Sequence, residues 1–184
     1  MLDSTIDLVR SNRVFLVGLM GAGKTSVGKL LAKNLQKAFV DSDHEVERRT
    51  GVSIPVIFEI EGEEGFRRRE AAVLHELAAL RNVVVATGGG AVLRPENREV
   101  LSRNGTVVYL RATVDELWHR TQHDRHRPLL QTANPQRKLA ELYEERDPLY
   151  RSIANMVMDT GSQSLKALVS RLEERLRAFP PRHW

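Results

Sequence analysis

A glycine-rich octapeptide at residues 18–25, Gly-Leu-Met-Gly-Ala-Gly-Lys-Thr, constrains the fold of this chain more than any other segment. Glycines allow the backbone to curl until successive N–H groups point inward, where they can bind phosphate oxygens. In this pattern Lys24 reaches the β- and γ-phosphates of a nucleotide, and the hydroxyl of Thr25 is a ligand for Mg²⁺. The N-terminus of the following helix adds a second anion-binding element. The segment therefore predicts a phosphate-binding loop between a strand and a helix.

The sequence on either side of the loop supports this prediction. Residues 13–17 form a mainly apolar run, typical of a buried strand, and the apolar residues after the loop recur at helical spacing. Strand, loop and helix are the context that the motif requires, and a turn that binds nothing would not need it. The predicted nucleotide contacts are Gly21, Ala22, Gly23, Lys24, Thr25 and Ser26.

Strand and helix patterns alternate along the rest of the chain. Four more strands are predicted, at residues 38–40, 83–86, 106–110 and 154–158. Helical spacing of apolar residues predicts helices at 66–80, 95–103, 114–122, 139–149 and 165–176. This alternation predicts a three-layer α/β fold, in which helices flank a parallel five-stranded sheet. Ligands of such folds bind beyond the carboxyl ends of the strands.

Two stretches interrupt the alternation. Residues 42–80 place more than one helix between the second and third strands, which predicts an insertion. Residues 122–136 are polar and rich in turn-forming residues, and a long loop of this kind is usually a lid or disordered. The chain has 184 residues, enough for one domain with a sizeable core. We therefore expect a single domain over residues 1–184, with its core at 13–178.

Composition restricts the chemistry. The chain contains no cysteine, which excludes disulfides, thiolate metal sites and a cysteine nucleophile and is compatible with a reducing cytoplasm. No apolar run approaches the roughly 20 residues that a membrane span needs. Residues 1–12 lack the apolar core of a targeting signal and are interpreted as an extension, and residues 180–184 as a tail. These features predict a cytoplasmic protein.

Arginine dominates the positive charge. The formal net charge is +4, and 22 of the 28 basic residues are arginine. Guanidinium groups bind phosphate and carboxylate groups with two hydrogen bonds, so an anionic small substrate would explain the excess. Most of these arginines are nevertheless expected at the solvated surface. The sequence has no basic stripe interleaved with aromatic residues of the kind that marks a nucleic-acid surface.

Six segments taken together resemble the shikimate kinase family over nearly the whole chain. They are Gly18–Thr25, Asp41-Ser42-Asp43, Phe66-Arg67, Gly88-Gly89-Gly90, Arg127-Pro128-Leu129-Leu130 and Arg146-Asp147-Pro148-Leu149-Tyr150. The resemblance implies a fold like that of nucleoside monophosphate kinases, with a substrate-binding insertion and a mobile lid. It also implies Mg²⁺-dependent transfer of phosphate from ATP to the 3-hydroxyl of shikimate, within chorismate and aromatic amino acid biosynthesis.

Asp41-Ser42-Asp43 directly follows the second predicted strand. Phosphoryl transfer needs a group that orients and deprotonates the attacking hydroxyl. The resemblance implies that Asp43 is this group and that Asp41 holds a water molecule bound to Mg²⁺. A second interpretation stands beside the first, because aspartate and serine are also favoured as caps at the start of a helix. Either Asp41 or Ser42 could cap the next helix.

The resemblance assigns shikimate binding to Arg67, Arg146 and Gly89. Adjacent helical side chains point about 100° apart, so Arg67, Arg68 and Arg69 cannot all reach one ligand. The resemblance selects Arg67 and pairs it with Arg146 around the substrate carboxylate. From the residues alone, Arg137 and Arg151 are equally good candidates for the second position.

Gly88-Gly89-Gly90 ends an apolar strand that has no acidic residue of the Walker B type. Three glycines are entropically unfavourable unless the backbone must approach something closely. In the family this segment replaces the acidic strand end, and the resemblance implies that the Gly89 N–H binds the substrate. A flexible turn with no ligand is the alternative interpretation.

The remaining assignments concern the nucleotide. The resemblance implies that Arg127, in the predicted lid, clamps the phosphates when the lid closes. It also implies that Arg120 packs on the adenine and that Gln163 lies in the loop that contacts the base. The six histidines show no metal-ligand spacing and receive no function.

Three other functions are alternatives to this one. A related small-metabolite kinase, such as a gluconate kinase, would share the phosphate loop, but the paired arginines and the glycine segment favour shikimate. A regulatory module would bind nucleotide without catalysis, which the presence of Lys24, Asp43 and Arg127 argues against. A nucleic-acid-binding protein with a phosphate loop would show retention on DNA or RNA that falls steeply with salt. ATP and shikimate are the expected partners of a monomer, with no nucleic acid or membrane.

Overall fold

Five strands form one parallel sheet: β1 (Arg13–Val17), β2 (Ala38–Asp41), β3 (Val83–Ala86), β4 (Thr106–Arg111) and β5 (Met156–Asp159). Their order across the sheet is β2-β3-β1-β4-β5. The computed structural model describes residues 13–179. The predicted N-terminal extension and C-terminal tail lie outside the described residues. The predicted parallel five-stranded α/β fold is confirmed.

Seven α-helices and two short 3₁₀ turns, at Ala91–Leu93 and Pro128–Leu130, occur within the described residues. The helices are α1 (Lys24–Asn34), α2 (Ser42–Thr50), α3 (Ile54–Leu77), α4 (Pro95–Asn104), α5 (Val114–Thr121), α6 (Pro135–Ile153) and α7 (Leu165–Ala178). The strands β1, β3 and β4 are nearly continuous apolar runs and are buried on both faces. Strands of this kind need helices on both sides of the sheet, which accounts for the three layers. No helix of residues 13–179 combines the length and apolar character that crossing a membrane requires.

The register of the sheet brings three strand ends together. Leu16 of β1 and Asp41 of β2 both pair with Ala86 of β3. Since the strands are parallel, the loops that leave β1, β2 and β3 all emerge at the same edge. The octapeptide after β1, the aspartates after β2 and the glycines after β3 therefore become neighbours.

Two helices, α2 and α3, occupy the segment between β2 and β3, and α3 begins earlier than its sequence pattern predicts. The prediction placed a helix at 66–80, whereas α3 runs from Ile54 to Leu77 and is bent at Gly62, whose φ is 71°. The apolar spacing changes phase at this bend, so the pattern reveals only the second half of the helix. The bend gives the two halves of α3 different directions.

The segment that follows α5 contains the 3₁₀ turn at Pro128–Leu130, and α6 begins at its end. Asn134 caps α6 by accepting a hydrogen bond from the N–H of Arg137, and Pro135 occupies the first turn. These signals start the helix before the predicted position 139. The helix continues to Ile153, so β5 starts at Met156 rather than at the predicted residue 154.

Candidate active site

The phosphate loop runs from the end of β1 into the first turn of α1. Gly21 and Gly23 have φ values of 81° and 93°, which side chains rarely adopt, and Gly23 is the N-cap of α1. The ammonium of Lys24 curls back and donates to the carbonyls of Gly18 and Leu19, at 2.6 and 2.8 Å. Burial and the nearby charge of Arg127 lower the pKa of Lys24 to about 8. The loop thus concentrates positive charge and backbone N–H groups at one point.

Asp41 links the phosphate loop to α2. One carboxylate oxygen accepts the hydroxyl of Thr25 at 2.8 Å, and the other accepts the N–H groups of Asp43 and His44 at 3.0 and 3.3 Å. Asp41 is therefore the N-cap of α2, which decides between the two capping candidates. The hydroxyl of Ser42 is fully buried and instead accepts the N–H of Gly88 at 3.0 Å.

Asp43 points from the start of α2 into the interior of the site. Its Oδ1 is buried and finds no hydrogen-bond partner among the described residues. Burial raises the pKa of Asp43 to about 7, and the neighbouring carboxylates of Glu70 and Asp41 act in the same direction. A carboxylate of this kind has the affinity for a proton that a general base needs near neutral pH.

The buried arginine of α3 is Arg67. It is 6% exposed and pairs with Glu70 at 2.8 Å and with Glu63 at 3.1 Å, while Arg68 and Arg69 face solvent. Glu70 is fully buried, and burial raises its pKa. Sequence reasoning missed Glu70. Its position three residues after Arg67, on the same helix face, was the available signal.

Arg146 is the second buried arginine of the site. It comes from α6, is 2% exposed, and within residues 13–179 its Nε and Nη1 atoms have no hydrogen-bond partner. The other two candidates lie at the surface, where Arg137 pairs with Glu141 and Arg151 with Asp147. A buried guanidinium with unpaired donors is energetically unfavourable unless a ligand completes it.

Each of the three glycines after β3 packs against a buried charged side chain of the candidate site. A Cβ on Gly88 would lie 2.5 Å from Oδ1 of Asp43 and 2.6 Å from Oε1 of Glu70. A Cβ on Gly90 would collide with the guanidinium of Arg67. A Cβ on Gly89 would point toward Nη1 of Arg146, at 3.6 Å. Close approach thus requires glycine at positions 88 and 90, whereas a Cβ on Gly89 would make only ordinary contacts; the tight packing of Gly88 and Gly90 argues against a flexible turn.

Two adjoining clefts meet at Met20, Asp43, Gly89 and Arg127. The first is bounded by the phosphate loop and by the two aspartates after β2: Met20, Gly21, Gly23, Lys24, Thr25, Ser26, Asp41, Asp43, Thr87, Gly89 and Arg127. The second contains both buried arginines and an apolar wall: Met20, Asp43, Ile54, Phe58, Phe66, Arg67, Gly89, Gly90, His126, Arg127, Pro128, Leu129 and Arg146. A ligand in one cleft would therefore contact a ligand in the other beside Asp43.

The remaining predicted nucleotide contacts occupy different places. Arg127 is half-buried at the junction of the clefts, where its Nε donates to Asp124 of the same segment at 2.9 Å. Arg120 donates to the carbonyl of Gly21 at 3.0 Å and to the hydroxyl of Thr160 at 3.2 Å. Gln163 donates to the carbonyl of Asp159 at 2.7 Å. Among residues 13–179, those that line the two clefts include neither Arg120 nor Gln163.

Comparison with known proteins identifies the family of the chain. The family model for shikimate kinase matches residues 20–177. A shikimate kinase of Nitrosospira multiformis is 57% identical over 170 residues, covering 92% of this chain and 87% of that protein. A shikimate kinase of Thiobacillus denitrificans is 59% identical over 167 residues, covering 91% of each.

Solved structures give the same result. A shikimate kinase from Acinetobacter baumannii in complex with shikimate superposes with a TM-score of 0.89 and 48% identity, covering 91% of this chain and 93% of that one. A gluconokinase from Sinorhizobium meliloti 1021 covers 90% of this chain and 95% of its own, with a TM-score of 0.54 and 21% identity, and so shares the fold alone. The resemblance predicted from the sequence is confirmed, and the chain belongs to the shikimate kinase family.

Proposed function

We propose that the two clefts hold ATP and shikimate, and that phosphate passes between them beside Asp43 and Arg127. The reaction is the ATP-dependent phosphorylation of shikimate to shikimate 3-phosphate, a step of aromatic amino acid biosynthesis. The observation that carries the arrangement is the junction itself. One cleft is built from a phosphate-binding loop, the other contains two buried arginines, and Asp43 lines both.

The nucleotide cleft has the donors that triphosphate requires. The N–H groups of residues 21–26 and the ammonium of Lys24 bind the phosphate oxygens. Hydrogen bonds between charged partners are stronger than those to neutral carbonyls, so phosphate competes well against Gly18 and Leu19 for Lys24. Arg120 and Gln163 are assigned to the adenine end of the nucleotide.

A magnesium ion fits the oxygen atoms that lie beside this cleft. Mg²⁺ prefers oxygen ligands, keeps several waters, and needs only one or two protein groups in addition to phosphates. The hydroxyl of Thr25 and the carboxylate of Asp41, 2.8 Å apart, supply such atoms. Thr25 would ligate the ion, and Asp41 would hold one of its waters. The ion supplies positive charge to the β- and γ-phosphates.

Asp43 acts on the attacking hydroxyl. Its unpaired Oδ1 accepts a hydrogen bond from the 3-hydroxyl of shikimate, which orients the nucleophile. As the bond from that oxygen to phosphorus forms, the proton moves to Asp43, and ADP leaves from the other side of the phosphoryl group. The raised pKa of Asp43 supports this transfer.

Arg67 and Arg146 bind the carboxylate of shikimate from two sides. The unpaired Nε and Nη1 atoms of Arg146 and the unpaired Nε of Arg67 are the donors that a carboxylate would satisfy. The Gly89 N–H contributes a further contact at the floor of the cleft. Glu70 keeps the guanidinium of Arg67 in place through their 2.8 Å ion pair.

The segmental roles are proposals of the same kind. Residues 42–80 are the substrate-binding insertion and residues 122–136 the lid, within a single kinase domain. Arg127 leaves Asp124 on closure and donates to the transferring phosphate, which adds positive charge where the transition state needs it. A monomeric state and a cytoplasmic location remain predictions.

The experiment measures release of ADP with shikimate, with gluconate and with no acceptor. We expect ADP release that depends on shikimate and matches the formation of shikimate 3-phosphate. The Lys24→Ala variant, checked for folding by circular dichroism, is the control and should be inactive because the phosphates lose their main cation. Turnover with gluconate in place of shikimate, or an active Lys24→Ala protein, would contradict the proposal.

A further inference from the structure

Tyr150 closes the segment Arg146-Asp147-Pro148-Leu149-Tyr150 and has no role in the mechanism above. Its side chain is fully buried, and its hydroxyl donates to the carbonyl of Gly89 at 2.5 Å. Its ring packs on that of Tyr109, with the centroids 5.0 Å apart. Burial removes the phenol hydroxyl from water, so the hydroxyl needs a hydrogen-bond partner within the protein. Here the partner is backbone of the predicted substrate site.

The glycine segment is held at two points by two hydroxyls. Ser42 accepts the N–H of Gly88 at 3.0 Å, and Tyr150 binds the carbonyl of Gly89. A peptide unit is planar, so holding the carbonyl of Gly89 also sets the direction of the N–H of Gly90. Gly90 lies directly against the guanidinium of Arg67. The two hydroxyls therefore restrict a backbone that glycine alone would leave free.

Tyr150 also lies beside Arg146, which precedes it by one helical turn on α6. A Cβ on Gly89 would lie 3.6 Å from Nη1 of Arg146, which places glycine, guanidinium and phenol in one cluster. Burial raises the pKa of Tyr150, while the positive charge of Arg146 works against that rise. The phenol therefore remains a hydrogen-bond donor at neutral pH and directs its proton to Gly89.

We propose that Tyr150 is a positioning residue for shikimate, which fixes the Gly89–Gly90 peptide relative to Arg146 and Arg67. This inference rests on the proposed roles of Gly89 and Arg146. It assigns to the hydroxyl of Tyr150 a function in substrate affinity, separate from the function of its ring in the core. Without the hydroxyl, the Gly89–Gly90 peptide loses its restraint. The N–H of Gly89 belongs to the preceding peptide unit, which is joined to this one through the freely rotating Cα of Gly89, so it loses its alignment with the substrate as well.

The test is Tyr150→Phe, which removes the hydroxyl and keeps the ring. A hydrogen bond of this kind is worth about three- to tenfold in binding, so KM for shikimate should rise by that factor. KM for ATP and kcat should change little, because the phosphate loop and Asp43 keep their own contacts. The matched control is Tyr109→Phe, which removes the other buried phenol of the stacked pair, bonded to Asp147 at 2.7 Å. It should leave KM for shikimate unchanged.

Two results would overturn the inference. One is a Tyr150→Phe enzyme with unchanged KM for shikimate. The other is a loss shared by both substrates and by both variants, which would show that the hydroxyl serves stability alone. Arg146→Ala in the same assay separates this inference from the proposed function. If Arg146→Ala raises KM for shikimate and Tyr150→Phe does not, only the inference fails. If Arg146→Ala has no effect, the proposed carboxylate site fails.

Discussion

At the scale of single residues, Asp43 makes the stability of the protein depend on pH. The pKa of its carboxyl group is about 7 in the folded chain, against an ordinary value of 3.8. Between these two pH values the folded state therefore retains a proton that the unfolded state has released. The wild type should therefore lose stability as pH rises from about 4 to about 7. Asp43→Asn removes this titration. We expect its melting temperature to exceed that of the wild type by a margin that grows from pH 5 to pH 7.5.

Thermal denaturation in a series of buffers of equal ionic strength measures this margin. Asp124→Asn is a suitable control, because that carboxylate lies in the segment after α5 and its pKa is lowered rather than raised. Because Asp124 is ionised in both the folded and the unfolded chain above pH 5, the stability difference between Asp124→Asn and the wild type should stay constant from pH 5 to pH 7.5. A margin for Asp43→Asn that stays constant with pH would show that the buried carboxylate does not titrate in this range.

Arg67 and Arg68 provide a second test at residue scale. Arg67→Ala should weaken shikimate binding by at least about tenfold, since a hydrogen bond to a charged group contributes about 1.5–3 kcal/mol. Arg67→Lys should restore only part of the loss, because an ammonium lacks the two-pronged geometry. Arg68→Ala, at the exposed neighbour, is the control and should bind normally. Titrations with shikimate and, separately, with ADP decide the outcome, and equal losses for Arg67→Ala and Arg68→Ala would refute it.

The residues that the sequence could identify are those whose chemistry is local. The phosphate loop is predicted from closely spaced glycines, and a helix cap at Asp41 or Ser42 from their place before a helix, while the structure assigns the cap to Asp41. The structure was needed to separate Arg146 from Arg137 and Arg151, because burial depends on how α6 packs. Tyr150 contacts Gly89 across 61 positions of sequence, and no local pattern encodes such a contact.

At the scale of elements, the segment after α5 provides the next prediction. Arg127→Ala should lower kcat far more than it raises KM for shikimate, because the arginine acts on the transferring phosphate. A transition-state arginine contributes roughly 10³–10⁵ in rate in other phosphoryl-transfer enzymes. The control is Arg125→Ala, in the same segment but exposed. Steady-state kinetics measure both constants, and an effect confined to KM would contradict the role.

The strands were predicted to within two residues because a buried parallel strand is a short apolar run with clear ends. The helices were predicted less well, since their ends depend on caps and bends. Gly62 shifts the phase of α3, and Asn134 with Pro135 starts α6 four residues early. The segment at 122–136 has no sequence pattern that predicts its 3₁₀ turn, whose Leu130 is buried and which packs against α3 and α6.

At the scale of the whole molecule, both clefts lie at one edge of the same sheet. Each ligand should therefore raise the temperature of the same unfolding transition. A ligand at 100 times its dissociation constant adds about 2.7 kcal/mol to the free energy of unfolding. We expect ADP and shikimate each to raise a single melting temperature, as measured by calorimetry. Lys24→Ala should lose the shift with ADP and keep the shift with shikimate. Two separate transitions, each moved by one ligand, would contradict a single domain.

The packing of Gly88 and Gly90 has a consequence for the design of inhibitors. A compound that binds the backbone of this segment contacts atoms that every amino acid shares. The usual route to resistance replaces a contacting side chain, but here any added side chain would collide with Asp43, Glu70 or Arg67. A substitution that repelled the drug would therefore displace the groups that we propose bind the substrate. Inhibitors directed at these two glycines should meet resistance more slowly than those directed at the apolar wall of the same cleft.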